Sequence, residues 1–138
     1  MRKTVRKTVI VFAALSITFG FISYSKAESM SFDWNGMGCS ENVIFDFELQ
    51  YLPNQNAYTL DGKAVSRFNG FTYPARGGAV FNPATNNFQV SIVYTSATGE
   101  TFTFGASLDT STLSGSGNVQ RIAHGNTNDD CKGLLSVL

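Results

Sequence analysis

The stretch "NVIFDFELQYL", residues 42–52, decides the fold. Val43, Phe45, Phe47, Leu49 and Tyr51 fall on one face of an extended chain. Asn42, Asp46, Glu48 and Gln50 fall on the other, with Ile44 the one apolar exception. Successive side chains of a strand point to opposite faces. This alternation therefore predicts a strand with one side in a core and the other in water.

Downstream of it, "PNQN" (53–56) breaks the pattern, and "AYTL" and "AVSRF" resume it on either side of Asp61-Gly62. Asp61-Gly62 and Asn69-Gly70 both read as hairpin turns, because each supplies positive φ at little steric cost. "GGAVF" leads to a loop at 82–87. In "FQVSIVY" the residues Phe88, Val90, Ile92 and Tyr94 share a face, and after a turn at 95–100 so do Phe102, Phe104, Ala106 and Leu108. The segment 110–118 is polar and glycine-rich, and its "SGSGN" (114–118) reads as a flexible lip. "VQRIA" is a short strand, "HGNTNDD" a loop, and "CKGLLSVL" a closing strand. No stretch has the 3.6-residue period of an amphipathic helix.

Short strands with turn signals every 8 to 12 residues or so predict an all-β fold. The expectation is a small antiparallel up-and-down β-barrel, or a β-sandwich, of seven or eight strands. The barrel is preferred, because consecutive hairpins make a meander and closure removes exposed sheet edges.

Upstream, Arg2, Lys3, Arg6 and Lys7 precede an apolar run from Val9 to Ile22, and Ser25 and Ala27 supply small residues before Glu28. That is the plan of a secretory signal peptide, and the run is shorter than the roughly 20 residues of a membrane span. The expected organisation is a signal peptide at 1–27 and one all-β domain at 28–138. The product is exported, either secreted or periplasmic, with no membrane span after cleavage.

Cleavage would change the charge. The full chain carries 10 basic and 10 acidic residues. From Glu28 onward five basic residues remain (Lys63, Arg67, Arg76, Arg121, Lys132) against all ten acidic ones, a net charge of −5. Such a surface repels phosphates, which argues against nucleic acid as a partner. An exported chain with two cysteines predicts one bond, Cys39–Cys131, in an oxidising space. It would tie the first strand region to the last.

Candidate chemistry is sparse. His124 is the only histidine, followed by Asp129 and Asp130, and no serine stands in a nucleophile motif. Asn126, Asn128 and Asp130 have the alternate spacing of a calcium loop but lack its bidentate glutamate. Asp46 and Glu48 share a face, as a general acid/base pair would, but it is the face opposite five apolar side chains. No catalytic residue, metal ligand or cofactor is assigned, and the chain is not expected to be an enzyme. Trp34, the sole tryptophan, is expected to plug one end of the barrel.

The layout of signal peptide, meander and terminal disulfide is similar to that of exported barrels such as lipocalin-like carriers and periplasmic lysozyme inhibitors. "DWNGMGCS" (33–40) resembles the opening Trp-x-Asn-x-x-Gly-Ser of the avidins; the later aromatic positions do not follow, and biotin binding is not carried over. These likenesses concern layout alone. Two functions are expected from the residues. The first is a monomeric binding module that meets a protein partner through its end loops, as an inhibitor or surface-interaction factor. The alternative is a carrier of a small apolar ligand, with Phe45, Phe47, Phe88, Phe102, Phe104 and Trp34 as candidate ligand-facing residues.

Overall fold

A computed structural model describes residues 28–37, 42–123 and 126–138, with side chains described for all of these except 126–130. Among the described residues there is no helix. Eight strands run in chain order: β1 (Glu28–Gly36), β2 (Asn42–Leu52), β3 (Ala57–Ser66), β4 (Thr72–Asn82), β5 (Asn87–Thr95), β6 (Thr101–Asp109), β7 (Ser114–Ala123) and β8 (Asn126–Val137). Each pairs antiparallel with the next, and β8 pairs with β1, so the sheet closes into an up-and-down barrel. The barrel expectation holds and the sandwich falls away.

Alternation builds this wall. Val43, Phe45, Phe47 and Leu49 of β2, Phe88, Val90, Ile92 and Tyr94 of β5, and Phe102, Phe104, Ala106 and Leu108 of β6 are all buried inside. Their neighbours along each of these strands face outward, so each of the three contributes one apolar row to a shared core. Asn69-Gly70 does turn the chain, with Gly70 at φ +77°.

Three local expectations are corrected. Asp61-Gly62 is no turn: both residues lie within β3, opposite Glu48 and Phe47. A Cβ at residue 62 would stand 1.9 Å from the backbone oxygen of Asp46. Glycine is needed there because strands bend tightly and press together at a barrel corner. The "SGSGN" lip is the first half of β7, with Gly115 and Gly117 paired to Leu135 and Gly133. The "NTNDD" loop belongs to β8, paired with β7 across a register shift at Arg121/Ile122.

The expected signal peptide (1–27), Cys39 and His124 lie outside the described residues. So do the side chains of Asn126, Asn128, Asp129 and Asp130, and with them the calcium and histidine readings. Cys131 sits half-buried on β8 against the core. Near it the Met37 amide donates to the Lys132 carbonyl at 2.8 Å, which places Met37, just past the end of β1, beside β8.

Candidate functional site

The barrel interior, the site of the alternative carrier reading, is packed with side chains. Phe45 stacks on Phe47 at 5.6 Å between centroids and meets the edge of Phe104 at 5.0 Å. Trp34 is fully buried and packs edge-on to Phe104 at 5.2 Å, so it plugs the core as expected. Phe102 stacks on Tyr94 at 4.9 Å. Phe88 lies toward the other end, against Tyr58 and Phe81. Five of the six candidate ligand-facing residues, Trp34, Phe45, Phe47, Phe102 and Phe104, are thus joined with Tyr94 in one set of ring contacts, and Phe88 belongs to a second set at the other end. Among the described residues, an apolar cavity walled by Phe32, Leu49, Tyr58, Leu60, Phe88 and Leu113 among others measures about 20 Å³. That is room for about one water molecule.

The alternating strand directions give the barrel two mouths. The turns 53–56, 83–86 and 110–113 lie at the first, beside the start of β1. Met37 and the turns 67–71 and 96–100 lie at the second. The polar turns 83–86 and 110–113 therefore open at the opposite end from the turn 96–100.

At the first mouth, Tyr51 and Tyr58 face inward from paired positions on β2 and β3, with rings 5.3 Å apart. Their hydroxyls are buried and accept no hydrogen bond from the described residues. Burial, then the Glu28 carboxylate, then Tyr51 push the Tyr58 phenol far above its ordinary pKa. Burial raises Tyr51 as well. The turn at 110–113 is pinned by Asp109, which accepts from the Ser111 hydroxyl at 2.5 Å and the Ser111 amide at 2.7 Å. The hydroxyl bond foremost, and then the amide, hold the Asp109 carboxyl below its usual pKa.

Asp46 and Glu48 are on the outer wall, as their alternation required. Asp46 accepts from the Ser31 hydroxyl at 2.5 Å and stands opposite Lys63. Glu48 stands opposite Asp61, whose carboxylate meets Arg76 at 3.4 Å. The group lines an open furrow and no enclosed cleft. Among the described residues no cluster of histidine, cysteine or carboxylate side chains could hold a metal ion.

The second mouth holds the feature that the sequence reading passed over. Nine phenylalanines follow residue 27, and residue type alone would send all of them to the core. Two of them are outside it: Phe68 is 90% exposed and Phe71 58% exposed, at the tip of the β3–β4 hairpin. The tip is tightly tied. The Ser66 amide donates to the Phe71 carbonyl at 2.9 Å and the Gly70 amide to the Ser66 carbonyl at 2.8 Å. The Ser66 hydroxyl accepts from the Phe68 amide at 3.1 Å, and Asn69 Oδ1 accepts from the Phe71 amide at 2.9 Å. The Arg67 amide reaches the Asn42 carbonyl at 3.0 Å, and its guanidinium pairs with Asp33 at 2.7 Å. The signal was present: aromatic residues directly flanking an Asn-Gly turn have no strand beside them to bury them. Met37, 58% exposed, lies at the same mouth.

No family model matches the chain, and no curated protein is significantly similar to it in sequence. The class rests on the fold alone: a small closed up-and-down β-barrel with a packed interior.

Proposed function

We propose that this chain is an exported binding module that recognises a protein partner through loops at a barrel end, and that it is not an enzyme. The observation that carries the reading is the filled interior. A pocket for a small molecule usually encloses roughly 300 Å³ or more, and the cavity here is about 20 Å³. Recognition then falls to the outside, where short hydrogen-bonded turns on a stiff scaffold provide shaped surfaces. The acidic balance after residue 27 suits a partner of neutral or basic surface. Export by the 1–27 segment, and closure by a Cys39–Cys131 bond, belong to the same reading.

Native mass spectrometry tests it, on protein purified from the compartment that receives it. The expected spectrum shows a bare barrel or a barrel with a co-purifying protein. A stoichiometric small molecule retained in the native spectrum and lost on denaturation would reject the reading in favour of the carrier.

A further inference from the structure

We infer that the β3–β4 hairpin tip is the contact surface itself, with Phe68 and Phe71 entering an apolar pocket on a partner protein. This rests on the proposed protein-binding function and assigns it to one mouth and one loop. Three observations carry it. The two rings are the most exposed phenylalanines among the described residues, and they stand three positions apart on one five-residue connection. Of the other exposed large apolar side chains, Met37 lies at the same mouth, while Val80, Val93 and Leu134 lie singly on the outer wall, which is ordinary for a protein surface. The loop's backbone is held by the bonds of Ser66, Asn69 and Gly70, so little order remains to be lost on binding.

Charge identifies the occupant. The tip offers no unpaired cation to a lipid headgroup, because Arg67 is engaged by Asp33. The chain beyond residue 27 is net acidic and is repelled by an anionic bilayer. Two rings also provide less apolar anchorage than one acyl chain, which by itself binds membranes only marginally. A neutral apolar pocket on a protein answers both rings without needing a cation. Buried aromatic anchors of this kind dominate the energetics of protein interfaces.

Site-specific photo-crosslinking tests the inference in the cells that make the full chain. p-Benzoylphenylalanine replaces Phe68, or Phe71, or, as a comparison, Thr110 at the opposite mouth. The expected result is one protein crosslinked through positions 68 and 71 and not through 110. That protein, once purified, binds the barrel, and the Phe68→Ala/Phe71→Ala double substitution weakens binding by about 100-fold. The melting temperature stays within about 2 °C, because neither ring is packed in the core. Crosslinks to lipid, or sedimentation with phosphatidylcholine/phosphatidylglycerol vesicles that the double substitution abolishes, would overturn the protein pocket. A protein captured through position 110 that binds the double variant unchanged would overturn the tip while leaving the protein-binding function intact. No adduct at any of the three positions would overturn both.

Discussion

Alanine in place of Gly62 tests whether the barrel wall turns a corner there. The new Cβ would sit 1.9 Å from the Asp46 carbonyl oxygen, and side chains do not approach such an atom closer than 3.0 Å. Strands β2 and β3 must therefore separate by about 1 Å at the middle of their ladder, where Gly62 faces Phe47. Two or three hydrogen bonds around that point would be lost or badly stretched, at about 1 kcal/mol each. With some loosening of the Phe45–Phe47 stack, the substitution costs about 3 kcal/mol, which for a domain of this size lowers the melting temperature by roughly 10–20 °C. Trp34, the sole tryptophan and fully buried, reports unfolding by fluorescence in urea and on heating. Two controls set the scale. At Gly105 a Cβ meets nothing within 4 Å, so alanine there is expected within about 0.5 kcal/mol of the parent. At Gly70, with φ +77°, alanine costs about 1 kcal/mol of backbone strain. If Gly62→Ala behaves like Gly70→Ala, or like Gly105→Ala, the corner is refuted and the turn reading of Asp61-Gly62 regains its ground.

Phe45→Ala removes a fully buried ring that stacks on Phe47 and meets Phe104 edge-on; it is expected to cost about 3–5 kcal/mol in the same unfolding assay. Tyr58 titrates above its ordinary 10.0 in the folded state, so its contribution to stability is complete below pH 10.0 and declines as pH rises beyond it. Phe at position 58 should abolish that alkaline component in pH-dependent melting, and an unchanged profile would reject the assignment. Asp109 is depressed in the folded state, so its contribution is present above the usual 3.8 and is lost as pH falls through the lower folded value. Ser111→Ala should bring the Asp109 carboxyl back toward 3.8 in an NMR titration. If the proposed Cys39–Cys131 bond forms, the protein weighs two daltons less than its reduced form, and reductant lowers its stability by about 4 kcal/mol. Equal masses before and after reduction would remove the Cys39–Cys131 bond.

What the sequence revealed follows from what was local. The alternation in β2, β5 and β6 is an intra-strand property, and it named their buried residues correctly because a strand's period is two whatever its neighbours are. Closure was favoured without being decided, since a meander can also fold as a sandwich, and it is the pairing of β8 with β1 that makes the barrel. Gly62 was misread because an Asp-Gly pair looks the same in a turn and at a barrel corner. Only the approach of Asp46 from the next strand distinguishes them, and that contact is tertiary. The "SGSGN" segment failed for a related reason. Gly115 and Gly117 lack side chains because the β6 backbone lies against them, with Ser107 and Gly105 oxygens where a Cβ would go. Composition reads such close packing as flexibility. Residue type alone would send Phe68 and Phe71 to the core, whereas the adjoining Asn-Gly pair places them beyond the sheet.

The seam where the barrel closes shows how side chains offset a short ladder. Strands β1 and β8 share five register pairs, from Phe32↔Val137 to Gly36↔Gly133, whereas β2 and β3 share ten. Fewer backbone bonds hold this junction, so other contacts must resist its opening. Trp34 provides one. Its indole lies where a side chain on residue 133 would stand, with Cζ2 2.6 Å from an ideal Cβ, so glycine on β8 is what admits the ring. The same ring then reaches Phe104 on β6, so β1 is fixed to the adjacent strand and to a more distant part of the wall at once. Beyond the ladder, Leu138 donates its amide to Ser31 at 2.9 Å and Met37 donates to Lys132 at 2.8 Å, extending the seam at both ends. A bond from Cys39 to Cys131 would cross this same junction, one residue from Lys132. Placing two cysteines at the two extremities of the folded chain then has a local physical reason: in a meander the first and last strands meet only at closure, and closure is where backbone pairing is thinnest.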